Sequence, residues 1–210
     1  MNRKTIIKQN NKIKFSLKTC VFILWSIFLI IIATFTQITL TKLGLPTFIL
    51  KHIMTVNYES CYKYIPQIPV VLFVASLLGR KYSFIAISLY IILGLFFIPI
   101  FALGGGLNYM FKYTFGFIIA YIPSAFIIST ILCKYNNLKS YIQSAVIGVL
   151  IIHIIGIIYM ITVLMFKHEA FNYITSWLST SSGTKIFYDI IFSFIAVIIG
   201  KTIKKLYLEK

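Results

Sequence analysis

The chain has 210 residues, of which 60% are hydrophobic and only 11% are charged, whereas about a quarter of the residues in an ordinary soluble domain are charged. This much apolar surface excludes a soluble globular fold. The net charge of +16 does not indicate nucleic-acid binding, because the basic residues stand between apolar blocks and form no single basic face.

Uncharged stretches bracketed by Lys or Arg predict the membrane spans, since an apolar helix needs about 20 residues to cross the hydrocarbon core. In chain order they are residues 19–41, 64–79, 82–101, 113–133, 141–166 and 186–200. We therefore predict an all-α integral membrane protein with six transmembrane helices. Residues 45–62 are apolar but contain Lys51, His52 and Glu59, which predicts an interfacial loop and no further crossing.

The distribution of cations predicts that both termini are cytoplasmic. With the amino terminus inside, the cytoplasmic segments hold 14 Lys and Arg residues and the external segments hold 6, as the positive-inside rule requires. We predict a bacterial inner-membrane protein with a basic cytoplasmic tail at residues 1–18, one membrane domain at 19–206 and a short cytoplasmic tail at 207–210. The first block resembles a secretory signal, but its length and the lack of a cleavage site favour an uncleaved helix.

Two ionisable side chains fall inside predicted spans. Asp189 is the only acid there, and an ionised carboxylate at that depth costs about 2.5–3.5 kcal/mol. It could contact a ligand or ion, or it could pair with Lys185, four residues earlier on the same helix face. His153 has no second His or acid at ligand spacing, so we interpret it as a hydrogen-bonding residue between helices and not as a metal ligand or proton relay.

A glycine run at residues 104–106 follows the third predicted helix and is the most site-like stretch. Glycine lets a backbone approach a ligand closely, and polar and aromatic side chains come next: Asn108, Tyr109, Lys112, Tyr113 and Thr114. A flexible loop is the alternative. Because catalytic and phosphate-binding motifs and paired carboxylates are missing from the sequence, we predict no enzymatic activity, no cofactor and no metal site.

The segment 67–126 carries spaced residues that resemble the BioY family, the biotin-binding S components of energy-coupling-factor (ECF) transporters. They are Gln67, Gly79, Tyr90, Leu93, Gly94 and the IPIF of residues 98–101 before the glycines. The following KYTFGF keeps Thr114 and Gly116 of a GPTGGY-like family turn, with Lys112 and Tyr113 in place of its first glycine and its proline.

The last predicted helix is similar to the family pattern P-G-D-x-x-K, whose aspartate contacts the ligand. In the stretch FYDIIF, Asp189 matches that aspartate, while Phe192 stands at the family lysine. The first predicted helix lacks the A-x-x-x-A stripe with which S components tend to meet the coupling subunit.

The resemblance implies a six-helix vitamin-binding subunit in the membrane lipid. It would bind biotin in an outward-facing pocket and deliver it inward by toppling, with a coupling subunit and two ATP-binding subunits. The predicted ligand-binding residues are Asp189, Gln67, Tyr90, Gly105, Gly106, Asn108, Lys112, Tyr113 and Thr114. The ureido N–H groups of biotin suit Asp189, its sulfur ring suits an apolar wall, and its carboxylate suits Lys112.

Two alternatives stay open. One is an S-component-like subunit for another small molecule, and the other is a structural membrane protein without a transport role. The altered turn at Lys112 and Tyr113 and the missing lysine at Phe192 favour these alternatives.

Overall fold

The computed structural model describes residues 16–41, 61–167, 182–183 and 185–208. In these ranges the secondary structure consists of five helices, a two-stranded sheet and one 3-10 helix. The elements are α1 (Leu17–Phe35), β1 (Ile38–Thr41), β2 (Cys61–Tyr64), α2 (Gln67–Phe96), the 3-10 helix (Leu107–Phe111), α3 (Phe115–Lys134), α4 (Leu138–Lys167) and α5 (Lys185–Tyr207).

All five helices in the described ranges are long and apolar enough to cross a membrane. The predicted count of six is therefore not confirmed. The predicted second and third spans, residues 64–79 and 82–101, lie in α2, which consists of two helical arms that meet at Gly79, where the backbone angles are non-helical. The pair Arg80 and Lys81, which separates the two spans in the sequence, remains helical.

The chain reverses direction at Gly79. The amide Nε2 of Gln67 donates a hydrogen bond to the Tyr90 hydroxyl at 2.9 Å, although the two residues are 23 positions apart. In a straight α-helix they would be about 35 Å apart. The two arms of α2, residues 67–78 and 80–96, therefore run antiparallel. Gly79 has φ 73° and ψ −178°, a combination that is almost confined to glycine.

The two-stranded sheet is a departure from the all-α prediction. Strands β1 and β2 are antiparallel, and the register pairs Ile38 with Tyr64. Helix α1 ends at Phe35, before the end of the predicted first span, because the following sequence is rich in β-branched residues that favour extended backbone. The predicted interfacial loop at 45–62 lies outside the described residues except for its last two positions, which belong to β2.

Helix α2 is the centre of the bundle and packs against α1, α3 and α5. The approach of α4 to α3 is close at Gly148, where an added Cβ would lie 2.9 Å from side-chain atoms of Ile128 and Leu72. The Ser124 hydroxyl donates to the Gly148 carbonyl oxygen at 2.9 Å. Gly148 thus allows α4 to approach α3 and α2 closely.

The two ends of the bundle differ in composition. At one end, here called the basic end, Arg80 lies over the Phe126 ring and the Lys201 ammonium donates to the Leu132 carbonyl oxygen. The other end, here called the hairpin end, holds β1, β2 and residues 97–114. The candidate functional site lies at the hairpin end.

Candidate functional site

A cavity of about 210 Å³ opens at the hairpin end. It is bounded by β2, the start of α2, the segment 97–114, the start of α3 and the first residue of α5. Its polar lining residues are Lys63, Gln67, Tyr109, Thr114, Tyr121 and Lys185, and its apolar lining residues are Ile65, Ile68, Ala102, Phe117 and Ile118. The volume is somewhat below the roughly 300 Å³ at which typical small-molecule pockets begin, so the cavity suits a compact ligand.

The charged lining of the cavity is positive. Lys63 and Lys185 line it, with Lys63 exposed and Lys185 half-buried, and among the described residues no acid lines it. Two ammonium groups around a small apolar space favour a ligand that carries an anionic group, because each can donate charge-assisted hydrogen bonds.

Gln67 places its side-chain amide on the cavity wall, and hydrogen bonds to two buried residues hold this amide in position. Its Nε2 donates to Thr34 Oγ1 on α1 and to the Tyr90 hydroxyl on the second arm of α2, both at 2.9 Å. Thr34 and Tyr90 are buried. The amide therefore joins three helical segments at the place where the cavity begins.

The segment 97–114 closes one side of the cavity. The Gly106 N–H donates to the Gly94 carbonyl oxygen at 2.9 Å, and an added Cβ on Gly105 would lie 2.7 Å from that same oxygen. Only glycine permits this approach of two backbones. The Tyr109 hydroxyl is 3.0 Å from Thr114 Oγ1, and burial raises the pKa of Tyr109. Both hydroxyls are thus available as neutral donors or acceptors.

A second buried polar network lies beside the cavity and centres on Asp189. Its Oδ1 accepts a hydrogen bond from the Tyr64 hydroxyl at 2.7 Å, and its Oδ2 lies 3.1 Å from His153 Nε2. The other ring nitrogen, Nδ1, is 2.9 Å from Ser182 Oγ. All four side chains are buried. The carboxylate has protein partners on both oxygens, and Asp189 is not among the residues that line the cavity.

The structure distributes the predicted site residues over four positions. Gln67 and Thr114 line the cavity. Tyr90 lies behind Gln67, and Asp189 lies beside the cavity, bonded to Tyr64 and His153. The others are in the segment 97–114 or next to it and do not line the cavity: Gly105, Gly106, Asn108, Lys112 and Tyr113.

The structure confirms the interhelical hydrogen bond expected of His153, and it gives Asp189 two partners that the sequence did not indicate. Asp189 is bonded to Tyr64 and His153, whereas the alternative to ligand binding was a pair with Lys185. His153 does hydrogen-bond between helices, and its acidic partner is 36 residues away in the sequence. In the described part of the chain no cluster of three or more metal-ligating side chains occurs.

Several cavity residues had no ligand-binding role in the sequence analysis. In the sequence, Lys63 only brackets a predicted span, Lys185 brackets one and is a possible partner of Asp189, and Phe117 and Tyr121 belong to an apolar helix. Phe117 and Tyr121 are four residues apart on α3, which places them on one face of the helix. A face that lines a cavity and a face in the core cannot be distinguished from one sequence.

Comparison with known proteins gives a consistent result. A family model described as the BioY family matches residues 8–209. The biotin transporter BioY of Thermotoga maritima is 29% identical over 137 residues, which cover 65% of this chain and 77% of that protein. A Lysinibacillus sphaericus protein named as a probable biotin transporter BioY is 31% identical over 96 residues, covering 45% of this chain and 49% of that protein.

The fold also has a known counterpart. A crystal structure of the S-component for biotin from an ECF-type ABC transporter superposes with a TM-score of 0.65 and 21% sequence identity. The match covers 91% of this chain and 95% of that structure. The resemblance stated from the motifs is thus confirmed as a match in sequence family and in fold.

Proposed function

The chain belongs to the BioY family, and on that premise we propose that it is the substrate-binding membrane subunit of a biotin uptake transporter. The observation that carries the proposal is the family match over residues 8–209, nearly the whole length. The structure adds a small cavity with apolar walls, two cations and several neutral hydrogen-bonding groups. The chain is therefore a multi-pass membrane protein with a site for a small ligand.

The chemistry of the cavity suits the parts of biotin. The ureido ring has two N–H donors and one carbonyl acceptor, and the amide, hydroxyl and phenol groups of Gln67, Thr114 and Tyr121 can pair with them. The sulfur ring is apolar and fits beside side chains such as Phe117 and Ile118. The carboxylate of biotin suits the two lysines that line the cavity, Lys63 and Lys185. Lys112, which the sequence suggested for this role, does not line the cavity.

A direct contact between Asp189 and biotin, which the family resemblance implies, stays a prediction. The carboxylate is fully buried, and both oxygens have protein partners. Each oxygen can accept a further hydrogen bond, but a ligand could reach the buried carboxylate only if a neighbouring side chain moved aside.

The membrane topology is part of the proposal. If both arms of α2 cross the bilayer, the five helices of the described ranges give six crossings, and both termini lie on the cytoplasmic side of a bacterial inner membrane. The basic end then faces the cytoplasm, in agreement with the positive-inside rule. The cavity at the hairpin end faces outward, where external biotin enters.

The proposed subunit binds ligand without hydrolysing ATP. Its sequence lacks a phosphate-binding loop and holds only four acidic residues, so the chain offers little to bind Mg²⁺ and nucleotide. We propose a coupling subunit and two ATP-binding subunits as its partners. Pull-down from native membranes should recover them, and biotin uptake at full rate after their deletion would contradict this dependence.

A second candidate ligand class follows from the departures in the last helix. Phe192 stands where the family lysine is expected and lies beside Tyr64, with ring centroids 5.3 Å apart. A transporter subunit of the same fold for another small organic anion would keep the cavity cations and show no affinity for biotin.

Binding of labelled biotin to the purified protein in lipid nanodiscs tests the proposal. We expect saturable binding and a rise in thermal stability with biotin, since a ligand that binds only the folded state stabilises it. A panel of other small carboxylates is the comparison. If another anion stabilises the protein and biotin does not, that anion is the proposed ligand in place of biotin. If no compound stabilises the protein, a structural role is favoured.

A further inference from the structure

We infer that Thr34 and Tyr90 fix the orientation of the Gln67 side-chain amide, so that its carbonyl oxygen Oε1 faces the cavity and accepts a hydrogen bond from a ligand N–H. The inference rests on the proposed function for the identity of the ligand. It assigns Thr34 and Tyr90 as positioning residues, because they would act on the ligand only through Gln67.

The first step is the proton of Thr34. The Thr34 hydroxyl donates to the Ile30 carbonyl oxygen at 2.8 Å within α1. A hydroxyl has one hydrogen, so Thr34 Oγ1 can only accept a hydrogen bond from Gln67, which lies 2.9 Å away. The group of Gln67 that faces Thr34 must therefore be the NH₂ and not the carbonyl.

The second step is the proton of Tyr90. The Tyr90 hydroxyl lies 2.9 Å from Gln67 Nε2 and 3.3 Å from Thr34 Oγ1. If Tyr90 donates its single hydrogen to Thr34, its oxygen accepts the second N–H of Gln67. Every donor of the three side chains then has an acceptor, and both amide hydrogens are used.

The third step is the flipped amide, which the network disfavours. Rotation by 180° would place Oε1 of Gln67 2.9 Å from Thr34 Oγ1, whose single hydrogen could reach it only by leaving the Ile30 carbonyl oxygen. Since Thr34 and Tyr90 are 2% and 0% exposed, water cannot fill the missing position. Two buried oxygen atoms in contact without a hydrogen between them are costly. Thr34 and Tyr90 therefore favour one orientation of the Gln67 amide.

The orientation leaves one free hydrogen-bonding atom on Gln67. Within the described ranges, no hydrogen bond to Oε1 is formed, and Gln67 is a half-buried residue of the cavity wall. An oriented carbonyl accepts N–H or O–H groups and repels other acceptors. A site built in this way discriminates against a ligand that lacks the donor, because the acceptor is then left unpaired. In biotin, the donors are the ureido N–H groups.

The test compares biotin with two analogues, each methylated at one ureido nitrogen, on the full-length protein in nanodiscs. The readout is the affinity for biotin divided by the affinity for whichever methylated analogue binds the unmutated protein more weakly. Thr34→Val should lower this ratio roughly 10-fold, since the amide is then free to rotate. Thr34→Ser keeps the hydroxyl and should preserve the ratio, and Tyr90→Phe should lower it.

A merely structural role of Thr34 predicts a different result. Loss of packing would weaken the binding of biotin and of both analogues by the same factor and leave the ratio unchanged, which would overturn the inference.

If the unmutated protein binds no biotin, the proposed function fails, and the orientation is still tested by NMR of the ¹⁵N-labelled Gln67 side chain. Slow exchange of both NH₂ protons in the ligand-free protein, lost in Thr34→Val, supports it, and fast exchange in the unmutated protein overturns it.

Discussion

Nε2 of His153 on α4 lies 3.1 Å from Oδ2 of Asp189 on α5. Oδ1 of the same carboxylate accepts a hydrogen bond from Tyr64 on β2 at 2.7 Å, so one buried side chain joins two helices and the sheet. A buried carboxylate requires such partners, because its desolvation is otherwise uncompensated. The arrangement indicates that Asp189 supports the wall of the cavity, whatever contact it makes with a ligand.

Asp189→Asn is expected to destabilise the ligand-free protein by about 2–4 kcal/mol. The amide has the size of the carboxylate but no charge, so its contacts with Tyr64 and His153 are no longer charge-assisted. The measurement is thermal or denaturant unfolding of the purified protein without biotin.

Lys185→Met is the matched control for this prediction. Lys185 lies on the same helix four residues earlier and lines the cavity, so its substitution should change ligand-free stability by no more than about 1 kcal/mol. An Asp189→Asn protein with normal ligand-free stability and no biotin binding would contradict the supporting role and establish a direct ligand contact.

Gly79→Ala is expected to destabilise the protein by about 1–3 kcal/mol, because φ 73° with ψ −178° is strained for any residue with a Cβ. An added Cβ would also lie 3.3 Å from the Lys204 ammonium nitrogen. Comparison with the double variant Gly79→Ala, Lys204→Ala separates the two causes in the same unfolding assay. Recovery of full stability in the double variant would assign the effect to the lysine contact and not to the backbone.

Reporter fusions test the six crossings. Fusions after residues 81, 139 and 210 should all report the cytoplasm, and a fusion near residue 168 should report the outside. The fusion after residue 81 is the decisive one, since it examines whether the reversal at Gly79 lies on the cytoplasmic side. An external signal there would mean that the two arms of α2 do not both cross the bilayer.

Helices α3 and α4 could be predicted from the sequence to within a few residues, whereas α5 continues to Tyr207, seven residues beyond its predicted span. The predicted spans 113–133 and 141–166 correspond to α3 and α4, because hydrophobicity and bracketing charges are properties of the chain in one dimension. The start of α1 was placed equally well. Its end was not. The β-branched residues after Phe35 favour extended backbone, but the strand formed there also depends on the pairing of β1 with β2, whose partner residues lie 20–26 positions away in the sequence.

The site was only partly predictable for the same reason. Gln67 and Thr114 belong to family motifs and do line the cavity. Lys63 and Lys185 belong to no motif, and a lysine that brackets a span has the same sequence signature as one that faces a cavity. His153 had no acidic partner at helical spacing, because its partner Asp189 approaches from another helix.

The last prediction concerns the carboxylate of biotin and the two cavity lysines. Lys185→Met should lower the affinity for biotin roughly 10-fold, since a half-buried ammonium that pairs with a carboxylate contributes about 1–2 kcal/mol. Lys63→Met should have a smaller effect, because Lys63 is exposed and its charge is screened by solvent. Neither substitution should change the affinity for biotinamide, which has no charge at that position.

Lys112→Met is the control, because Lys112 is exposed and does not line the cavity, and it should leave both affinities unchanged. Titration of both ligands by calorimetry measures the effects. A selective loss of biotin affinity in Lys112→Met, with none in Lys185→Met, would restore the pairing expected from the sequence and show that the carboxylate lies outside this cavity.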